Sequence, residues 1–390
     1  MTGGFEYSHA AGKTSVEDGA AEIKDDAVFL LASQTKLLTA VAALQIVERG
    51  LIAFDDNVEE LLPELAGQQV LTGFDGDDKP ILEARTEAIT FRYVGLMLCS
   101  IADGCSILTP DPRRLLTHTA GTAYDAGDAN LIKYQTQRGV TPNSGPDVVS
   151  RFSYPLIFQP GTKWAYGTGM DWAGLVIERL TKSTLEEYMK TNIWDPLGAK
   201  TMTFFPQQNA ALEVRVPTLS ARGPDGNLHP FKGPFITTGV TGCFGGSGGY
   251  SSLGDYRSLL LSLLRNDGKL LRPESVDELF KPQLTSAQAQ AFKEYLLGPS
   301  GAFFIGEFLA EKYAHDWAFG GVVFVEGYKD GRRGAGTLSW GGIANTFWMI
   351  DREAGLALTF GTQVIPPGDV KVKEVISVVE REVNRMAGAA

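Results

Sequence analysis

A chain of 390 residues with 44% hydrophobic and 21% charged side chains can bury a large core, and its length suits two or three domains. That mixture excludes a disordered, collagen-like or disulfide-scaffold protein. A net charge of −11 leaves no electrostatic footprint for nucleic acid or an anionic membrane surface, and three cysteines (Cys99, Cys105, Cys243) are too few for a secreted framework. Reduced thiols and a cytoplasmic location are expected.

The opening MTGGFEYSHAAGKTS lacks a basic segment leading into a long apolar one, so no signal peptide is read. Strand patterns are read near Phe5–Ala10 and, as a short apolar run, at Ala27–Ala32. A helix follows from Ser33 to Arg49, with Leu37, Val41, Leu44 and Val47 at helical spacing and Gly50 placed to stop it. From Asp55 to Pro234 the chain is richer in loops, with helices at Met170–Thr181 and Leu185–Asn192. Residues 93–109 are apolar, but Asp103 and two glycines make them a poor membrane helix. A further helix is expected at Leu253–Leu264. Sequential antiparallel strands then follow at Gly321–Glu326, Gly336–Gly341, Asn345–Ile350 and Ala357–Thr362, with Asp351–Gly355 as a hairpin turn. A closing helix carries Val372, Val375, Ile376, Val379 and Val383 on one face. Strand and helix at one end, strands and helix at the other, predict one α/β sheet domain from 1–54 and 235–390. Residues 55–234 would form an inserted, mostly helical domain.

Among candidate chemical groups, Ser33-Gln34-Thr35-Lys36 puts a hydroxyl and an amine on one helical face. A serine is a poor nucleophile until a base takes its proton, and a partly desolvated lysine can do so. The helix start adds backbone N–H donors beside it. Such a spacing is also expected about once by chance. Tyr166, between glycine-bearing turns, can shuttle a proton if a lysine flanks it, although a packed tyrosine is the plainer reading. Trp340-Gly341-Gly342 ends a strand where glycines let an acyl group approach backbone N–H groups, against a simple bulge or turn.

Gly245-Gly246-Ser247-Gly248-Gly249 fits the Gly-x-Ser-x-Gly nucleophile elbow, with Asp277 and His315 as imaginable partners. It lacks a good preceding strand, so a glycine-rich loop is expected. His118 reads as a hydrogen-bonded structural histidine. The four histidines are widely separated and none pairs with a cysteine at ligand spacing, so no metal site is expected.

Ser33-x-x-Lys36, Tyr166 and Trp340-Gly341-Gly342 together resemble the serine β-lactamase/penicillin-binding-protein superfamily, in its class C and esterase branch. Leu115–Gly121 (LLTHTAG), Pro160-Gly161, Pro196-Leu197-Gly198 and Gly245-Gly246 add to the likeness. LASQTKLLTAVAALQIVERGL, VEELLPEL, YGTGMDWAG, the CFGG of Cys243–Gly246 and LLRNDGKLL are similar to fungal acyltransferases of the lovastatin side-chain type. The resemblance implies an antiparallel sheet flanked by helices, a helical domain above it, and a cleft between. It implies Ser33 as the acylated nucleophile, Lys36 as its base and Tyr166 as a second acid/base. Backbone N–H groups of Ser33 and Ile343 would form the oxyanion hole. Arg151, Phe235 and Trp348 would contact substrate, and Trp340, Gly341 and Gly342 would wall the acyl site.

Two departures bear on substrate. Trp340 stands where relatives usually have the lysine of Lys-Thr-Gly, and Thr168 where many have asparagine. Both argue against β-lactam or peptide substrates and for an ester or thioester of an apolar acyl chain. The expected activity is ping-pong acyl transfer from a thioester, on a carrier protein or CoA, to an alcohol of a polyketide-like metabolite, with no metal or organic cofactor. Ester hydrolysis is the alternative within that chemistry, and a catalytically silent ligand-binding homologue the alternative outside it.

Relatives of this kind place a helix and a strand ahead of the region matched from Gly3, so the chain reads as short at its start. Residues 93–113 match nothing, and joining Arg92 to Arg114 restores an uninterrupted helix start. Codons for Tyr-Val after Arg can contain GTATGT, so a retained intron is the expected source, with a surface loop the alternative.

Overall fold

The computed structural model describes residues 5–54, 56–91, 114–298, 301 and 309–388. The segment 93–113 therefore lies outside the described residues.

The first strand, β1 (Val28–Leu30), falls within the expected apolar run, and a tight turn at Ala32–Gln34 leads into helix α1 (Thr35–Glu48). Every residue of α1 from Thr35 to Ile46 is buried, so this is a central helix and not a one-sided one. Its buried leucines, Val41 and Ile46, each worth about 1.5–3 kcal/mol when fully buried, make it the axis of the larger core. Gly50, at φ +67, closes it as expected: its N–H donates to Val47 O, and Leu51 N–H to Ile46 O.

β2 (Val70–Phe74) and β3 (Pro80–Glu83) form a separate hairpin. Helices then run over Ala129–Gln137, Gly169–Thr181 and Leu185–Met189, the last continuing into a wider turn at Lys190–Trp194. β4 (Ser220–Arg222) and β5 (Leu228–Pro230) precede β6 (Tyr250–Ser252) and the helix Leu253–Arg265. Helices Pro273–Leu279 and Ser286–Leu297 lead to the main sheet. That sheet is an antiparallel meander of β7 (His315–Trp317), β8 (Val322–Phe324), β9 (Leu338–Gly342), β10 (Thr346–Asp351) and β11 (Leu356–Phe360), in spatial order β11-β10-β9-β8-β7. β12 (Val364–Ile365) joins β4 in parallel, and the helix Val370–Met386 closes the chain.

Two expectations need correcting. Phe5–Ala10 forms no strand; Phe5 and Tyr7 are exposed, and alternation yields a strand only where a sheet edge accepts it. β1 does not join the main sheet but pairs antiparallel with β6. Among the described residues, the five-stranded sheet comes from 315–360 alone.

Two-residue periodicity divides β10 between the sheet's faces. Phe347 and Met349 form a small core with Leu356 and the closing helix's Val372 and Ile376. Trp348 and Ile350 belong to the larger core around α1. On the closing helix Val375 is half exposed, so its apolar face is narrower than the valine spacing implies.

Candidate active site

Ser33 lies in the turn between β1 and α1 and keeps part of its surface open, while Ala32 and Gln34 are buried. Ala32 holds φ 47, a left-handed conformation that costs a side-chain-bearing residue about 1–3 kcal/mol. The surroundings enforce it. Thr35 Oγ1 donates to Ala32 O at 2.7 Å and accepts Gly249 N–H at 3.0 Å, while Leu31 N–H donates to Gly249 O at 2.9 Å.

Lys36 is fully buried, yet its Nζ lies 3.3 Å from Ser33 Oγ, 3.3 Å from Tyr124 Oη and 2.7 Å from Gly246 O. It also stands over the Tyr166 ring, 4.6 Å from the centroid. Tyr124 donates its hydroxyl to Asp171 Oδ2 at 3.1 Å, and Asp171 Oδ1 accepts Gly246 N–H at 2.8 Å. With its own proton directed at Asp171, the Tyr124 oxygen is left to accept from Lys36. Gly246 O takes a second Lys36 N–H, which leaves the amine's remaining direction for Ser33 Oγ. Burial raises the pKa of Asp171 despite the opposing pull of Lys36, and burial next to Asp171 raises Tyr124 well above an ordinary phenol. A Cβ on Gly246 would stand 2.4 Å from Asp171 Oδ2 and 2.8 Å from Tyr124 Oη, so only glycine allows this packing.

Tyr124 and Asp171 were missed in the sequence. One signal was available: Asp171 interrupts the apolar run of a helix expected to pack, and a buried carboxylate requires partners. Tyr124 carried no comparable mark.

Tyr166 is partly exposed in a nest of rings, 5.4 Å from Trp340, 5.7 Å from Tyr124 and 4.9 Å from His118, and Trp340 Nε1 donates to its Oη at 3.1 Å. β9 brings Trp340 here because Trp340 pairs with Trp348 and both project to the α1 side. At the strand's end, a Cβ on Gly342 would lie 2.4 Å from both Leu31 O and Thr346 Oγ1. That close approach brings the turn beginning at Ile343 alongside the Ser33 turn.

The remaining candidates divide. Trp348 is fully buried, its ring against Gly321 in the core beneath Trp340. Arg151 is 3% exposed: its Nε and Nη2 donate to Gly145 O, its Nη1 to Ile236 O, and its guanidinium stacks on Phe244 at 4.1 Å. Those bonds clamp two loops together. Phe235, beside Ile236 on one of them, packs its ring on Phe231 at 5.6 Å. Thr168 is buried before the helix Gly169–Thr181.

Ser247 assembles no triad. His315 Nε2 lies 3.1 Å from Tyr328 Oη, and Asp277 pairs with Arg352 at 2.8 Å. The Gly245–Gly249 loop is instead held on α1 by Thr35, Lys36 and Thr39, and Ser247 faces a cavity of about 70 Å³ with Phe204, Phe244 and Tyr250. Among the described residues, no cluster of three His, Cys, Asp or Glu side chains has metal-binding geometry.

A helix-flanked antiparallel sheet with a Ser-x-x-Lys where its first long helix begins is the arrangement of the β-lactamase and transpeptidase class of serine enzymes. The family model described as beta-lactamase matches residues 2–92 and 109–375, and the chain belongs to that family. It is 36% identical over 372 residues to the lovastatin esterase of Penicillium rubens, covering 94% of this chain and 87% of the relative. It is 33% identical over 356 residues to the monacolin J acid methylbutanoyltransferase of Aspergillus terreus, covering 90% and 81%. Among solved structures, a mutant of simvastatin synthase from Aspergillus terreus superposes with TM-score 0.84 at 32% identity, covering 97% of this chain and 87% of that one. The chain is thus an enzyme of the β-lactamase-like superfamily with the fold expected of it. No helix of the described residues is long and apolar enough to cross a membrane.

Proposed function

We propose that the protein is a serine acyltransferase that moves an apolar acyl group from a thioester donor to an alcohol of a polyketide-like metabolite through an acyl-enzyme on Ser33. The observation that carries this reading is the Lys36 amine, buried and aimed at a partly exposed Ser33 hydroxyl at 3.3 Å. Lys36 takes the hydroxyl proton as Ser33 Oγ attacks the donor carbonyl. Backbone N–H groups of Ser33 and Ile343 hold the resulting oxyanion. Tyr166 returns a proton to the leaving thiolate, and the C–S bond breaks to leave the ester on Ser33. The acceptor alcohol then gives its proton to the same tyrosine–lysine pair, attacks the ester, and leaves acylated. Each step uses a side chain or backbone amide, so the scheme calls on no metal or organic cofactor.

The substrate class follows from Trp340. Its indole replaces an ammonium that would meet a substrate carboxylate, and its one N–H is engaged by Tyr166. An acyl group without a charge near β9 is therefore preferred. Arg151, by clamping the loops that carry Gly145 and Ile236, shapes the acceptor side together with Phe235. The donor is carried by CoA or a carrier protein, and the reaction proceeds in the cytoplasm, in keeping with the low cysteine content.

Hydrolysis is a second reading, favoured by the likeness to a lovastatin esterase. It differs only in whether water or alcohol deacylates Ser33. Incubation with short-chain acyl-CoA thioesters followed by intact-protein and peptide mass spectrometry tests the reading. An acyl adduct on the Ser33 peptide that disappears faster with a polyketide alcohol than with buffer supports transfer. Equal decay supports hydrolysis, and no adduct in a folded preparation overturns both.

A further inference from the structure

His118 stands outside the scheme above, yet it brackets Tyr166 from both sides. Its backbone carbonyl accepts the N–H of Ala165 at 3.0 Å, and its ring Nδ1 accepts the N–H of Gly167 at 3.3 Å. These are the residues immediately before and after Tyr166. Between the two bonds, the imidazole lies against the Tyr166 ring, centroid to centroid 4.9 Å. The backbone contact is so close that a Cβ on Gly167 would fall 1.7 Å from Thr122 O, so no other residue can follow the tyrosine. His118 itself holds φ 60, a left-handed conformation uncommon for a histidine, which the surroundings must enforce.

The chemistry of the ring is equally constrained. Nδ1 accepts a hydrogen bond, so a neutral imidazole carries its proton on Nε2. Nε2 is buried with no hydrogen-bond partner, in a ring flanked by Trp164 at 5.9 Å and Trp317 at 4.8 Å. The residue is 1% exposed, and burial, with Lys36 nearby, holds its pKa well below the usual value. A cationic ring would lose the Nδ1 acceptor and release Gly167.

We propose that His118 is a positioning residue for Tyr166, an imidazole whose Nδ1 and backbone carbonyl fix the phenol's place between Lys36 and Trp340 through the flanking amides. The inference rests on reading Tyr166 as the acid/base. It makes His118 indirect: it neither meets substrate nor exchanges a proton.

The test is a double-mutant cycle on p-nitrophenyl ester turnover, with His118→Asn, His118→Phe, Tyr166→Phe and the double variant His118→Phe plus Tyr166→Phe. Asparagine tolerates left-handed φ and sets an acceptor oxygen near the Nδ1 position, so kcat stays within about threefold of the parent. Phenylalanine keeps a ring without an acceptor, and kcat falls about tenfold to a hundredfold with KM little changed, as expected for a displaced catalytic group. In the Tyr166→Phe background the same change costs less than about threefold, because no phenol remains to be positioned. If His118→Phe does not fold, His118→Gln, whose carboxamide oxygen sits nearer the Nε2 position, takes its place in the cycle. Equal losses in both Tyr166 backgrounds, or no rescue by asparagine, overturn the proposal alone. Full activity of Tyr166→Phe overturns the acid/base reading and the proposal with it.

Discussion

Trp340 donates its indole N–H to the phenolic oxygen of Tyr166 across 3.1 Å. The donor beside the phenol is thus a neutral indole. It supplies a hydrogen bond to the phenol without the charge that would attract a carboxylate. The Tyr166 oxygen therefore has a fixed acceptor direction before substrate arrives, and its ring lies beneath the Lys36 amine. One side chain then orients the phenol and places no charge beside it.

Removing that donor gives the first expected outcome. Trp340→Phe keeps one aromatic ring but removes the N–H together with the indole's second ring; the lost hydrogen bond alone is a net term of about 0.5–1.5 kcal/mol, or roughly threefold to tenfold in rate. The rate loss is expected in kcat for p-nitrophenyl esters, and thermal stability also falls because the fully buried indole leaves a cavity. A variant with unchanged kcat shows that the indole packs against Tyr166 without tuning it.

Tyr124 and Asp171 supply the second. Tyr124→Phe removes the oxygen that accepts from Lys36, so the amine gains a rotational freedom that the parent lacks. The acylation burst should slow by about tenfold to a hundredfold, the range for a catalytic group no longer held in register. Asp171→Asn should behave similarly but more mildly, since an amide oxygen still accepts one of the two bonds. Stopped-flow measurement of the burst decides it; a parental burst in Tyr124→Phe removes Tyr124 from the Lys36 orienting role.

The third concerns the two serines. A fluorophosphonate should label the Ser33 peptide, and Ser33→Ala should abolish the label, whereas Ser247→Ala leaves most of it. Ser247 lies on a glycine loop whose polar contacts go to α1, with no histidine–acid pair assembled beside it. A label mapped to Ser247 reverses the assignment.

What could be read from the sequence divides along physical lines. Ser33 and Lys36 were legible because their proximity is fixed by local geometry, three residues across a helix start. Gly50, the hairpin at Asp351–Gly355 and the strand order after residue 321 were legible for the same reason. Tyr124 and Asp171 were not, because the chain brings them to Lys36 from 88 residues away and through Gly246. β7 is three residues long, too short for alternation to register, and its pairing with β8 defines it. The Phe5–Ala10 alternation had the right period and no sheet edge to join. Arg151 shows the limit of local reading: only the fold reveals that its donors meet the carbonyls of Gly145 and Ile236.

The buried His118 and the partly buried His315 make stability depend on pH in a definite direction. Burial lowers His118 well below its ordinary pKa and lowers His315 from 6.5 to about 4. As pH falls through about 6.5, the unfolded chain binds protons that the folded chain refuses, so stability declines downward from there. For His315 the decline runs to about pH 4 and reaches on the order of 3 kcal/mol, at 1.36 kcal/mol per pH unit. Asp171, raised by burial, acts oppositely: its contribution falls as pH rises through the carboxylate range, and is level above. Denaturant unfolding from pH 7.5 to 4.5 should show the decline, with a shallower slope in His315→Gln. An unaltered slope in that variant assigns the effect elsewhere.

The last expectation concerns residues 93–113. They lie outside the described structure, but their flanks are held together: Leu115 N–H donates to Thr90 O at 3.4 Å, and Arg114 reaches back to Ala88 O. The family match omits residues 93–108, so the omitted stretch falls within that segment. Joining Arg92 to Arg114 therefore closes a segment whose described flanks, Thr90 and Leu115, are already hydrogen-bonded. Loop closure entropy changes by only about 0.6 kcal/mol per doubling of length, so the excision itself is nearly neutral. The segment's composition is another matter: YVGLMLCSIADGCSILT is apolar and carries two of the three cysteines, which makes it an association hazard if it finds no packing partner. The variant lacking 93–113 should unfold at the same temperature or higher, remain monodisperse at higher concentration, and keep its esterase rate. Sedimentation and p-nitrophenyl ester turnover, run side by side with the parent, measure all three. A shortened chain that loses activity, or that fails to fold while the parent does, would show that the segment is an evolved part of the enzyme.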